Sequence, residues 1–183
     1  MSGVAYRQRF AAETTPLSAP GKQFLSVFRR LQRETGKLVP PRAALTMSAC
    51  RGFVSHIGIF EVVGHRDVRA RLEGRAVVSR TGIENTGENF FEICPEELRD
   101  PVWSMFCSVL DEPRGDLAFM QEVYERPLIV EVLALPFSDV NGVPRFVISA
   151  SSPLDDADGS HLRKEGERMK IGEIFCRHRI DIG

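Results

Sequence analysis

No two of the four cysteines, Cys50, Cys94, Cys107 and Cys176, stand as a CxxC pair. The zinc-ribbon and thioredoxin signatures are therefore missing, and reduced, partly buried thiols are expected. No apolar run approaches the roughly 20 residues needed to span a bilayer. The N-terminal MSGVAYRQRFAAETTPLSAP lacks the apolar core of a secretory signal. A cytoplasmic location without a membrane span is the expectation. Charge of one sign is missing too: 24 Lys+Arg against 25 Asp+Glu leave a net charge of −1. That balance does not favour a polyanion-binding surface, and no nucleic-acid partner is expected. Hydrophobic residues make up 43% of the 183, enough for the core of one domain with tails.

Chemistry-bearing clusters are equally scarce. Asp156, Asp158, Gly159 and Glu165 fall at the third, fifth, sixth and twelfth places of a calcium loop. The first place would be Leu154, which offers no side-chain oxygen, so a solvated acidic turn is expected and no metal site. Arg163, Lys164, Arg168, Lys170, Arg177 and Arg179 make the tail locally basic, but Glu165, Glu167 and Glu173 interleave with them as on a solvated face. His56 has no ligand partners near it in the sequence and His65 sits in a turn. No catalytic constellation stands out.

What is present is organised around Leu128–Ser151. Leu128, Val130, Val132 and Ala134 alternate with Ile129, Glu131, Leu133 and Leu135, so both faces of this strand are largely apolar and it should be central. Pro136 is expected at its end. Asn141-Gly142 supplies a tight turn. Phe146, Ile148 and Ala150 then oppose Arg145, Val147, Ser149 and Ser151, a half-polar strand with one open face.

Earlier in the chain, residues 1–21 read as a mobile arm. Phe24, Val27, Phe28 and Leu31 form one apolar stripe of a helix over Lys22–Thr35, closed by Gly36. The stripe packs on its own domain, or pairs with a second subunit as well. Gly52–Val63 reads as a strand, Gly64–Asp67 as a turn and Val68–Leu72 as a half-buried strand. Arg75–Arg80 is a short helix ending at Thr81-Gly82. Pro95 starts a helix and Asp100-Pro101 restarts one, carrying the stripe Val102, Met105, Phe106, Val109 and Leu110. Leu117–Tyr124 reads as an edge strand. After Pro153 the chain turns acidic, then polar over Ser160–Lys170, and Ile171–Gly183 regains apolar residues as a tail docking back on residues 22–152. Five antiparallel strands with helices inserted after the second is an α+β plan with a ligand-sized gap between sheet and helices.

This order is similar to the PAS fold. The chain resembles the bacterial single-domain PAS family with an N-terminal helix. The matching pieces are Phe24–Leu31 followed by Val39-Pro40-Pro41-Arg42, Arg69–Gly74, Gly82 with Asn85-Thr86-Gly87, Leu135-Pro136-Phe137 with Asn141-Gly142, and the closing Ile180–Gly183. The resemblance implies a five-stranded antiparallel sheet with a helical insert on one face. It also implies a non-enzymatic sensory role through a small molecule or a protein partner, commonly as a homodimer. Flavin-binding members carry a cysteine in an Asn-Cys-Arg context, whereas Cys94 lies in Phe91-Glu92-Ile93-Cys94-Pro95. Haem-binding members need an axial histidine, and none occurs between Gly74 and Pro113. No cofactor is expected.

Candidate pocket residues are Arg75, Phe90, Trp103, Phe106 and Phe119, with Ser79 as a further polar candidate. Plain core filling is the alternative for the aromatics. The helix stripe Phe24, Val27, Phe28 and Leu31 is the candidate dimer or partner surface. A second reading is a small cone-shaped α+β enzyme, isomerase-like, with Glu131 as base. Against it stands a structural pairing of Glu131 with Arg145 across the hairpin.

Overall fold

The computed structural model describes residues 17–124, 127–154, 164 and 168–183. Most of the N-terminal arm, the acidic turn from Asp155 and the calcium-loop positions Asp156, Asp158, Gly159 and Glu165 lie outside the described residues.

Helix α1 spans Ala19–Thr35. Ser18 caps it by accepting a hydrogen bond from the Gly21 amide at 3.2 Å, and Gly36, at φ 66°, ends it in the left-handed region. Phe24, Phe28 and Leu31 are buried, and Val27 packs at their margin. Their burial contributes about 1.5–3 kcal/mol each. Phe137 receives both rings, Phe24 stacked at 6.3 Å and Phe28 edge-on at 5.3 Å.

Strands β1 (Ile57–Gly64) and β2 (Asp67–Glu73) form a hairpin. Arg66 at φ 54° makes its turn. The helical insert follows: α2 (Arg75–Thr81), α3 (Phe90–Ile93) and α4 (Glu96–Asp111). Then come β3 (Gly115–Val123), β4 (Leu128–Ser138), β5 (Pro144–Pro153) and β6 (Lys170–Ile180). The sheet order is β2-β1-β5-β4-β3-β6, antiparallel throughout. The protein is an α+β fold: an N-terminal helix and an open six-stranded antiparallel sheet, with the helical insert packed on one face.

In the β4–β5 turn, Asp139 Oδ1 accepts from the amides of Asn141 at 2.9 Å and Val143 at 3.0 Å, while Gly142 takes φ 84°. β4 runs on through Pro136 to Ser138 instead of stopping there. Its pairing with β3 ends at Ala134, so on that side Pro136 interrupts no ladder.

The fold departs from expectation at three other points. The docking tail supplies a sixth strand, pairing along β3, so β3 is interior and not an edge. The strand read from Gly52 begins only at Ile57. Gly52 at φ 97° and a turn of 3₁₀ helix over Val54–His56 coil the chain first. The two helices read at Pro95 and Asp100-Pro101 are one, with Pro101 exposed inside α4; proline there removes one helix bond without ending the helix.

Strand alternation divides the interior. Ile129, Leu133, Leu135, Ile148 and Ala150 pack toward α1, in the main core with Phe24 and Phe28. Ala134 and Val147 pack toward Phe91, Phe106 and Val109 of the insert.

Candidate functional site

Beneath the insert the sheet is floored by small residues: Gly58 on β1, Ala118 on β3, Ala134 on β4, Ser149 and Ser151 on β5. Helices carrying Phe90, Phe106 and Met105 cannot close onto so shallow a floor. The result is a cavity of about 470 Å³ between insert and sheet, within the usual size range for small-molecule sites. Its walls are mainly apolar. Met105, Met120 and Met169 contribute flexible thioethers that adapt to an occupant's shape.

One end is polar and closed on itself. Arg80, 1% exposed, donates from Nε to Glu122 Oε2 at 2.8 Å and from Nη2 to Glu122 Oε1 at 3.1 Å. Nη2 also donates to Ser151 Oγ at 2.7 Å. The Tyr124 hydroxyl lies 2.7 Å from Glu122 Oε2 and 3.0 Å from the Arg80 carbonyl. Nearby, the Glu73 carboxylate accepts from the Asn85 amide N–H at 2.9 Å. With the Asn85 side chain turned so that Nδ2 faces it, Glu73 Oε2 receives a second bond at 2.6 Å. Burial pushes the Glu73 carboxyl above its ordinary range, against the lowering effect of the Asn85 bond. On the β6 wall, Arg177 forks onto Asp116, with Nη2 at 2.6 Å and Nε at 3.2 Å.

Of the residues expected at a pocket, Phe90 and Phe106 line the cavity. Arg75 is exposed at the start of α2 and does not reach it. Ser79 is exposed on the same helix. Trp103 packs against His65 at 5.1 Å and Phe91 at 6.1 Å, outside the lining. Phe119 points to the other face, fully buried in the α1 core, because Ala118 and Met120 take the cavity side of β3. Arg80, Glu122, Ser149 and Ser151 are the polar residues that sequence reasoning passed over. A glutamate in phase with Ala118 and Met120, and serines alternating with Ile148 and Ala150, are the signals the sequence holds.

Glu131 does not pair with Arg145. The β4–β5 register sets it opposite Ser152, and Arg145 lies 3.6 Å from Glu61 on β1. Glu131 instead holds the start of α1: Oε2 accepts from the Ser18 amide at 2.8 Å and Oε1 from the Ser18 hydroxyl at 2.7 Å. Burial raises its pKa, while the two Ser18 bonds and the Lys22 charge pull the other way. It lies across the sheet from the cavity, so it has no reach to an occupant there, and the reading of Glu131 as a base loses its geometry. The α1 stripe likewise faces the sheet. Phe24 and Phe28 are 0% exposed, and the helix shows solvent a mixed polar face that includes Lys22, Gln23, Arg29, Arg30, Arg33 and Glu34.

His56 Nδ1 lies 3.3 Å from the Ser151 carbonyl, a structural contact. The four cysteines are free, and burial raises the thiol pKa of Cys50, Cys94 and Cys107. Among the described residues, no group of three or more His, Cys, Asp and Glu side chains is placed to hold a metal, and no helix is long and apolar enough to cross a membrane. No protein-family model, no curated protein and no solved structure matches the chain.

Proposed function

We propose that the chain is a PAS-like sensory or regulatory domain that works by binding, without catalysis. A small molecule enters between insert and sheet, and its presence is passed to a protein partner, which includes a second copy of the chain. The observation that carries this reading is the cavity of about 470 Å³ over a floor of small residues. The chain order supports it: two strands, a helical insert and then four strands, of which the first three complete the order on which the family resemblance rests.

β4 supplies a route for the signal. Val132 and Ala134 face the cavity, and Glu131 and Leu133, between and beside them, face α1. An occupant that binds one β4 position better than another shifts the population of α1 arrangements. Since the apolar stripe of α1 is buried, a partner would read the polar outer face, with Arg29, Arg30 and Arg33.

Native mass spectrometry of freshly purified protein reports bound small molecules and subunit count together. Binding of the neutral fluorophore N-phenyl-1-naphthylamine gives the solution test. Ala118→Phe fills the cavity floor, so it should abolish the fluorescence gain while leaving the far-ultraviolet circular dichroism unchanged. Equal fluorescence gain in both proteins defeats the proposal.

A further inference from the structure

The charges lining the cavity are already committed, and this fixes the chemical class of occupant, if the cavity is the binding site proposed above. Arg80 and Glu122 neutralise each other through two parallel bonds, the geometry that matches guanidinium to carboxylate best. Arg177 and Asp116 do the same on the β6 wall. Glu73 is met by the Asn85 amides. Glu97 and Lys170, of opposite sign, line the cavity where they are exposed to water, which screens them. An anionic head that enters the apolar interior would have to break one of these forks to find a cation, and a cationic head would have to break a fork or displace Asn85 from Glu73 to find a carboxylate. A charge left unpaired among Val77, Phe106 and Met120 carries a desolvation cost that the site does not offset.

What the polar end still offers is hydroxyl hydrogen. Ser151 Oγ accepts from Arg80 Nη2, so its own proton is available to donate. Ser149, two residues earlier on the same face of β5, also lines the cavity, with its Oγ beside Gly58 of the floor. Two O–H donors beside an apolar chamber suit an oxygen acceptor. We infer that the occupant is an uncharged, mostly apolar molecule with a hydrogen-bond-accepting oxygen, such as a ketone, ester or ether, seated against Ser149 and Ser151.

Displacement of N-phenyl-1-naphthylamine from the full chain at neutral pH tests this with three probes of equal length: decan-2-one, decanoate and decylammonium. The ketone should displace at the lowest concentration, with both ions weaker by about tenfold or more. Ser149→Ala should weaken the ketone by about three- to tenfold, measured relative to the fluorophore's own affinity for the same variant. Glu122→Gln leaves Arg80 without its counter-charge, and if the variant folds it should move decanoate ahead of the ketone. Ser149→Ala keeps the test decisive if that variant does not fold. Decanoate displacing as well as decan-2-one from the wild-type chain, or an unchanged ketone affinity in Ser149→Ala, overturns the assignment of ligand class while the cavity reading stands. Absence of fluorophore binding to the wild-type chain overturns both.

Discussion

Glu131 shows how a single carboxylate can be structural while resembling a catalytic base. It interrupts an apolar strand and is fully buried, and its pKa is raised by that burial. Yet both its oxygens are engaged by Ser18, the residue that caps α1. A side chain at position 21 would run into Glu131 Oε1, so Gly21 is the residue that lets the helix start so close. The consequence for pH follows from the direction of the shift. At the lowest pH both folded and unfolded chains hold the proton. As pH rises through the ordinary carboxylate range, the unfolded chain releases it first, and stability falls until the folded group also ionises. Glu131→Gln keeps an acceptor for the Ser18 amide and a donor for its hydroxyl, and it has no proton to lose. Urea midpoints measured from pH 4 to 8 should therefore decline less steeply for Glu131→Gln than for the wild type, with the variant at least as stable at pH 7. Glu73 titrates in both proteins and cancels in the difference. A deficit in the variant that grows as pH rises would show that the negative charge itself holds α1.

At the scale of elements, α2 is tied to β3 by the buried pair Arg80–Glu122, whose side chains are 1% and 3% exposed. Removing one partner leaves a buried charge alone, so Arg80→Met and Glu122→Leu should each cost about 3–5 kcal/mol, whereas the double substitution should recover most of that loss. Urea unfolding of the three variants measures the coupling, and additive losses would mean the pair contributes nothing as a pair. Neither residue announced itself in the sequence. They are 42 positions apart, and their pairing depends on α2 lying over β3. The local elements were far more legible: Gly36, Gly82 and Gly142 mark their turns, and the alternation of β4 identifies a central strand. The pocket face of β3 was not legible because Leu117 and Phe119 on one side and Ala118 and Met120 on the other are all apolar. A strand buried on both faces gives no sign of which face is hollow, so its pattern groups Phe119 with the pocket aromatics although the side chain lies in the α1 core. β6 escaped notice as a strand because Lys170, Glu173, Arg177 and Arg179 dilute its apolar residues, as befits an edge that must resist further pairing.

For the whole molecule, the last segment closes three structures at once. β6 pairs with β3 from Gly115↔Ile180 to Val123↔Lys170. Ile171, Ile174 and Arg177 form a wall of the cavity. Beyond β6, Ile182 is buried in the main core, its carbonyl accepting from Gln32 Nε2 at 2.7 Å, and the Asp181 carbonyl accepts from Arg29 Nη2 at 3.1 Å. The two ends of the described chain are thus fastened together on the α1 side. Close approach keeps β6 in place: a side chain on Gly115 would press on Ile180 and Leu135 at 2.8 Å. A chain ending at Met169 would leave the backbone of β3 unpaired beside Leu117 and Phe119, a long apolar edge of the kind that recruits another strand. It should therefore form large particles visible by light scattering and lose N-phenyl-1-naphthylamine binding, and Gly115→Val should show a milder loss, about 1–3 kcal/mol of stability from overpacking. A truncated chain that stays monodisperse with the wild-type urea midpoint would show that five strands suffice and that β6 is an addition to a complete fold.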